Sequence, residues 1–386
     1  MVVVGGGFGG LYTAQALGRE RRHPSLLLIE PRERFVFLPL LYELLSGEMR
    51  SWEIAPRYDK LLAGLGVGWL QDRVERIDLD AHLLHTAAGR TLGFERLVLA
   101  TGASTDTFAV PGADRHCLGF RSLEDVRRLQ QLLGQLTRSG RPLQRLAVVG
   151  AGPTGVELAC KLADLIGETA VVELIEQGER LLPQAKAFNR EQATLSLQRR
   201  DVRVRTRTRV VEVGADHLRL HLLPGGEDEV LAVQGVIWTA GQRCRPPLIT
   251  PAPRSDGTGR LLCDLELRLQ GRDDVFVVGD LGAVPQTPEA QGLSLPTTAQ
   301  VAFQQAPVVA ANLLASLQGR EAQPFRWSDL GEMISLGKGE ASLTSGGITL
   351  AGPAAFQLRR LAYLTRLPGL PQQLRAAASW LSDWGA

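Results

Sequence analysis

Gly5-Gly6-Gly7-Phe8-Gly9-Gly10 follows directly on the apolar run Val2-Val3-Val4 and leads into helix-compatible residues from Leu11 to Leu17. G-x-G-x-x-G between a strand and a helix is the pattern of a phosphate cradle. Gly5 makes the tight turn, Gly7 lets the backbone approach a pyrophosphate, Gly10 allows close helix–strand packing, and the anion rests on the helix N-terminus. Leu26-Leu27-Leu28-Ile29 reads as the second strand, and Glu30, 20 residues after Gly10, stands where an acid accepts from ribose hydroxyls. One such motif is weak evidence, but the device recurs. Leu146-Ala147-Val148-Val149 runs into Gly150-Ala151-Gly152-Pro153-Thr154-Gly155, a helix follows from Val156, and the strand Val171–Ile175 ends at Glu176, 21 residues after Gly155. Two cradles with matching strand context and acid spacing predict two dinucleotides on one chain, and electron transfer between them.

Other turns agree with this. Leu97-Val98-Leu99 ends in Ala100-Thr101-Gly102, and Val236-Ile237-Trp238-Thr239 ends in Ala240-Gly241, 139 residues later. Each closes one nucleotide domain against its cofactor. Val275–Val278 is a further buried strand ending in Gly279-Asp280. That carboxylate suits a hydrogen bond from a flavin ribityl chain, and an ordinary turn is the alternative.

Composition bounds the rest. At roughly 150 residues per domain, 386 residues hold two or three domains. A net charge of +2 with dispersed basic groups lacks the basic footprint of a nucleic-acid binder. The four cysteines, Cys117, Cys160, Cys244 and Cys263, form no C-x-x-C pair, so neither a disulfide framework nor a thiolate metal site is expected. A reducing, cytoplasmic-side setting fits. No apolar run approaches the roughly 20 residues of a spanning helix. Val2–Val4 is short for a central strand, usually about five or six residues, which predicts strand residues upstream of Met1.

Residues 354–386 differ from the body. Arg359, Arg360, Arg366 and Arg375 against Asp383 give a net +3, and the rest of the chain carries −1. The stretch reads as two helices broken at Leu367-Pro368-Gly369-Leu370-Pro371, with Leu358, Leu361, Tyr363, Leu364, Leu374, Trp380, Leu381 and Trp384 among the arginines. Basic groups for anionic headgroups and Trp/Leu for the acyl boundary make an interfacial amphipathic segment. A helical hairpin packed on its own protein or on a second subunit is the other reading.

Together, Gly5–Gly10 with Glu30, Ala100-Thr101-Gly102, Gly150–Gly155 followed by Val156-Glu157-Leu158-Ala159, and Gly279-Asp280 resemble the flavoprotein superfamily with two dinucleotide domains. Phe37-Leu38-Pro39-Leu40-Leu41-Tyr42 resembles the F-x-P-L-L-Y segment of type II NADH:quinone oxidoreductases, single-subunit non-pumping dehydrogenases, and Ala299–Ala306 resembles their A-Q-x-A-x-Q-Q motif. The continuation Glu43–Glu48 and Trp52–Pro56 looks closer to the plant and cyanobacterial demethylphylloquinone-reductase branch. The C-x₄-C of the disulfide reductases is missing, and Cys160 reads as a small buried hydrophobe.

The resemblance implies an α/β fold with two Rossmann-like domains. The FAD domain takes residues 1–115 and a return segment 265–326, the NAD(P)H domain 116–264, and the C-terminal amphipathic segment 327–386. It places FAD on Gly5, Gly7, Phe8, Gly10, Glu30, Pro39, Leu40, Ala100, Thr101, Gly102, Gly279, Asp280 and Gln300. It places NADH on Gly150, Gly152, Thr154, Gly155, Glu157, Glu176, Ala240 and Gly241. Glu176 repels a 2′-phosphate and so favours NADH, with Arg180 near enough to let NADPH be tolerated. Glu157 matches the family's glutamate near the meeting point of nicotinamide and flavin. It would orient the carboxamide or handle a proton, or else serve the helix dipole. Gln300 and Gln304, four apart on one helical face, would donate to a quinone carbonyl, with a Gln-rich face beside the flavin as the alternative. Lys338 reads as surface charge rather than proton donor.

The expected activity is hydride transfer from NAD(P)H to FAD and electron transfer on to a lipid quinone, with a naphthoquinone as one candidate. The expected setting is a peripheral membrane protein on the cytoplasmic or stromal-type face, held by residues 354–386, with a homodimer plausible. A soluble NADH reductase serving a ferredoxin-type acceptor, and an NADH-responsive flavoprotein sensor, share the same cofactor sites.

Overall fold

Strands built only of Val, Leu and Ile suit a parallel sheet covered on both faces, and the chain builds two such sheets. The computed structural model describes residues 1–21, 23–287 and 293–384, with side chains as far as Leu381; the expectations for Asp383 and the Trp384 side chain lie outside the described residues. Two units emerge. The first comprises 1–35, 56–104 and 242–329; the second comprises 36–55, 105–241 and 330–386.

The first unit centres on a five-stranded sheet in the order Val275–Val277, Leu97–Leu99, Val2–Val4, Leu26–Ile29, Val67–Leu70, every neighbouring pair parallel. Val3, Leu28, Leu97, Leu99, Val275 and Phe276 are fully buried, and the helix Phe8–Gly18 packs along the long helix Ala299–Leu317. Ile249, Ile77 and Leu84 line up across a second, mostly antiparallel sheet.

The second unit repeats the plan: Arg203–Arg205, Ala170–Ile175, Gln144–Val149, Gly235–Trp238, Cys117–Leu118, again all parallel. Val149, Ile175, Val236 and Trp238 share a core with Val210, Leu218, Leu220 and Leu231 of a three-stranded antiparallel sheet. A hairpin sheet, Glu332–Ser335, Ala341–Ser345 and Ile348–Gly352, precedes the helices Pro353–Leu364 and Leu370–Trp384.

Domain borders differ from the sequence expectation at several segments: residues 105–115, expected in the first domain, belong to the second unit, and 242–264, expected in the second domain, belong to the first. Residues 36–55, expected in the first domain, belong to the second unit. The cause is local packing: the Tyr42 ring meets Phe120 at 5.2 Å, and Gln130 donates to the Leu45 carbonyl at 3.3 Å.

Candidate active site

The two glycine loops are built alike, bond for bond. Gly5 and Gly150 both take φ = +100°, in the region open to glycine. The Gly5 amide donates to Ile29 O at 2.9 Å and the Gly150 amide to Ile175 O at 2.8 Å, each crossing to the neighbouring strand. Ala100 N donates to Val4 O at 2.8 Å, and Thr239 N to Val149 O at 2.9 Å. A Cβ on Gly10 would lie 1.9 Å from Gly5 O, and one on Gly155 would lie 1.8 Å from Gly150 O, so helix and turn approach closely only without side chains. Gly7 and Gly152 open instead onto free space.

These two glycines are the N-caps of Phe8–Gly18 and Pro153–Ile166, and neither helix carries a side-chain cap. The two longest helices do, Ser122 Oγ accepting from Asp125 N at 3.1 Å and Thr298 Oγ1 from Val301 N at 3.2 Å, whereas Ala187–Arg199 and Pro353–Leu364 do not. Helix amides left without a side-chain partner, facing an open glycine, suit a pyrophosphate. Both loops therefore fit a dinucleotide.

The two acids brace their loops. Glu30 accepts from Gly6 N at 2.7 Å, from Arg32 N at 3.0 Å and from the Arg32 guanidinium at 2.7 Å. Burial works to raise its pKa, but Arg32 and the two amides outweigh it and hold the carboxyl below the usual range. Tyr58, fully buried, donates to Gly6 O at 2.8 Å. Glu176, half-buried, accepts from Ala151 N at 2.8 Å and Gly178 N at 2.7 Å.

Phe8 opens the first helix and runs parallel to Tyr12, with Phe35 edge-on at 5.2 Å. Ala100 lies against Gly5, while Thr101 is exposed and Gly102 takes φ = +67°. Gly279 and Asp280 form a single helical turn after their strand. The Gly279 amide donates to Gln305 Oε1 at 2.8 Å, and Asp280 O accepts from the Cys244 thiol at 3.3 Å. Gln300 lies in the first turn of the long helix; Gln304 uses both ends of its amide on Ser328, accepting from N at 3.1 Å and donating to O at 2.9 Å. Gln305, which the sequence reading passed over, is the amide that holds the Gly279 turn. In the second unit Ala240 O accepts from Trp238 Nε1 at 3.0 Å, and Gly241 lies under the Phe108 ring.

Glu157 is the fifth residue of its helix, past the first turn, so the helix-dipole reading does not describe it. It is nearly buried, and Oε1 accepts from Ser335 N at 2.8 Å. Tyr42 hydrogen-bonds to it and to Thr154. Burial first, with Glu43 adding repulsion against the pull of Arg359, Ser335 N and Tyr42, pushes its pKa up to about 7.

Arg359 was read as a headgroup-directed cation; it is instead buried to 0% exposure. Its guanidinium donates to Glu43 Oε1 at 2.5 Å and to Pro39 O at 2.6 Å, lies 3.8 Å from Glu157 Oε1 and covers the Tyr363 ring at 4.9 Å. Leu40, beside Pro39, is buried. The only sequence signal was Tyr363 one turn beyond Arg359, on the face opposite the exposed leucines. Lys338 is exposed, and Cys160 is buried beside Ser196 with its thiol pKa raised by burial, which leaves neither poised for chemistry.

Residues 1–306 match the family model described as pyridine nucleotide-disulphide oxidoreductase. The chain is 40% identical to a demethylphylloquinone reductase of Synechocystis sp., over 99% of this chain and 96% of that one. It is 35% identical to the alternative NAD(P)H-ubiquinone oxidoreductase C1 of Arabidopsis thaliana, over 98% and 80%. In fold it is similar to NDH2 of Plasmodium falciparum solved with NADH, with a TM-score of 0.86 at 19% identity, covering 98% and 97% of the two chains. The chain therefore belongs to the pyridine nucleotide-disulphide oxidoreductase family, and within it to the type II NAD(P)H:quinone oxidoreductases.

Proposed function

We propose that the chain holds FAD on the Gly5–Gly10 loop and NADH on the Gly150–Gly155 loop, and reduces a lipid quinone of the naphthoquinone class at a membrane surface. The observation that carries this reading is the bond-for-bond repetition of one phosphate cradle in two units of one chain. Bound FAD supplies the redox chemistry, accepting a hydride and passing two electrons on. The overall reaction consumes NADH, one proton and quinone, and yields NAD⁺ and quinol.

The chain's own residues bind and orient. Glu30 and Glu176 accept from ribose hydroxyls while bracing their loops, and the open backbones at Gly7 and Gly152 take the phosphates. Ala100–Gly102 with Gly279-Asp280 line the first cofactor, Ala240-Gly241 the second. Glu157, with a pKa near neutrality and a Tyr42 hydroxyl beside it, holds or releases the proton that the reaction consumes. Gln300 presents an uncharged donor toward an apolar acceptor, and Gln304 fixes Ser328 beside it.

Membrane attachment is supported by the tail. Leu358, Leu361, Leu370, Leu374 and Leu381 are 46–71% exposed, with Arg366 and Arg375 on the same segment. No helix among the described residues is long and apolar enough to cross a membrane. The same leucines would serve a homodimer. Leu370→Asp with Leu374→Asp separates the two: the variant leaves anionic vesicles on a membrane reading and changes its sedimentation coefficient on a dimer reading.

The decisive experiment is anaerobic stopped-flow on FAD-loaded protein, following the flavin absorbance on mixing with NADH or NADPH and then with a naphthoquinone or a benzoquinone. Rapid loss with NADH and rapid return with quinone is expected. Loss without return would move the function to a protein acceptor or a sensor.

A further inference from the structure

Two carboxylates and one guanidinium are buried together in the second unit: Glu43 from the helix Leu41–Leu45, Glu157 from Pro153–Ile166 and Arg359 from Pro353–Leu364. One cation facing two acids leaves one negative charge uncompensated, unless a proton occupies one acid. The contacts distinguish the acids. Arg359 lies 2.5 Å from Glu43 but 3.8 Å from Glu157, and Pro39 O takes its other amino group at 2.6 Å. Glu157 is left with a backbone amide and the Tyr42 hydroxyl, partners that suit either protonation state.

Most other ionisable groups on the elements around Glu157 are committed elsewhere, and the Cys160 thiol, three residues along the same helix and held uncharged by burial, lies beside Ser196. Lys161, one turn along the same helix, pairs with Glu48; Asp164 pairs with Arg200 at 2.7 Å. Glu332 accepts from Asn189 and Lys186 N, and Glu173 of the neighbouring strand is met by Arg145, Arg203 and Arg205. On the helix Leu123–Ser139, Glu124 pairs with Arg127 and Arg128. Tyr363 lies under Arg359, and Arg360 turns to Trp380 at 4.5 Å.

A stability role explains the cluster poorly. Glu43 Oε2, Arg359 Nε and Ser335 Oγ are buried with no hydrogen-bond partner. Each such group costs about 1–3 kcal/mol, and an apolar replacement of a buried ion pair is often neutral or stabilising. We propose that Arg359 is a positioning residue of the active site: clamped to Glu43 and to the Pro39 carbonyl, it compensates one buried acid and leaves Glu157 to take up and release the proton of the reaction. The C-terminal segment thereby contributes to the chemistry as well as to attachment. The proposal rests on the quinone-reductase reading for the use of that proton, but not for its location.

The test follows Glu157 in two ways. The first is the pH profile of flavin reoxidation by a short-chain quinone. The second is an infrared titration of the protonated-carboxyl band, assigned by its disappearance in Glu157→Gln. Wild-type protein should show an inflection at about pH 7 in both. Glu43→Gln removes the like charge and frees Arg359, so the inflection moves down by about one unit or more; Arg359→Met moves it up by a similar amount, and Arg359→Lys restores part of it. The double variant, Glu43→Gln with Arg359→Met, removes the ion pair together and guards against misfolding of the single change. Its inflection, set mostly by burial, should lie above that of Glu43→Gln. An inflection within about half a unit of wild type in Glu43→Gln, or a double variant no higher than Glu43→Gln, would overturn the proposal. Absence of quinone reoxidation in wild type, with the infrared shifts intact, would instead overturn the quinone reading and leave the positioning role standing.

Discussion

The two nucleotide loops share a backbone and differ in what closes them. The first is sealed from within: Glu30 is only 3% exposed, Arg32 covers its carboxylate, and Tyr58 is buried against Gly6. The second is left looser. Glu176 is half-buried and, among the described residues, accepts from backbone amides and pairs with no arginine; Arg180 nearby is exposed. One cradle has the closure of a resident cofactor, and the other the openness a nucleotide needs if it enters and leaves in every turnover. The same sequence motif is thus closed to different degrees by residues outside the motif.

The comparison is sharpest at the third glycine of each loop. Gly10→Ala and Gly155→Ala each force a methyl onto a carbonyl oxygen. Overpacking of this kind costs about 1–3 kcal/mol or more, so at least about a fivefold loss at each site is expected. Gly10→Ala should purify with little FAD, whereas Gly155→Ala should keep its flavin and lose rapid reduction by NADH. Flavin content and NADH half-saturation read the two effects, and identical phenotypes would break the assignment.

The acids provide a second contrast, in pH. Glu30 has a lowered pKa when folded, so its contribution is present above the unfolded value and lost as pH falls through the folded one. Glu157 runs the other way. Its pKa is raised from 4.5 to about 7, so the fold binds a proton that the unfolded chain has released, and stability falls as pH rises from 4.5 to 7. Glu157→Gln should therefore raise the unfolding free energy at pH 8 by up to about 3 kcal/mol and change it little at pH 4. Thermal unfolding at the two pH values checks the sign.

Smaller effects concern selectivity and bracing. Glu176→Gln removes the charge that opposes a 2′-phosphate and should improve NADPH over NADH by about tenfold, read as the ratio of kcat/KM. The corresponding change at Glu30 should alter FAD retention and leave that ratio alone. Thr239 Oγ1 donates to Val149 O at 2.8 Å with Gly150 O at 3.1 Å, a brace the first loop lacks because Ala100 stands at the equivalent place. Thr239→Val should cost about 1 kcal/mol and appear as a modest rise in KM for NADH.

Central strands were legible because burial on both faces demands uninterrupted apolar residues. Val2–Val4, Leu26–Ile29 and Leu97–Leu99 fall where the runs place them, and Ala170–Ile175 and Gly235–Trp238 within a residue. Two of the edge strands were not, although the edge strand Val275–Val277, apolar throughout, was. Val67–Leu70 contains a glycine and Arg203–Arg205 is charged, since an edge needs to bury less. Both glycine loops and their acids could be read from spacing alone, because backbone geometry fixes those residue types. Arg32, Tyr58, Glu43 and Arg359 could not, for other reasons. Tyr58, Glu43 and Arg359 act across a distance in sequence that no local pattern encodes, and Arg32, two residues from Glu30, lies in no regular element whose periodicity would mark it. Arg359 in particular looks, residue by residue, like its exposed neighbours.

The separation between Arg359 and its partner Glu43 spans 316 residues. On the ribosome Glu43 and Glu157 are made early, and the helix carrying their counter-charge is among the last parts of the chain to emerge. Until then Glu43 lacks the guanidinium that meets its carboxylate, and a buried carboxylate without its counter-charge disfavours docking of the Leu41–Leu45 segment. Completion of the cluster of Glu43, Glu157 and Arg359 is thus tied to completion of the polypeptide, because its single guanidinium comes from one of the last helices of the chain.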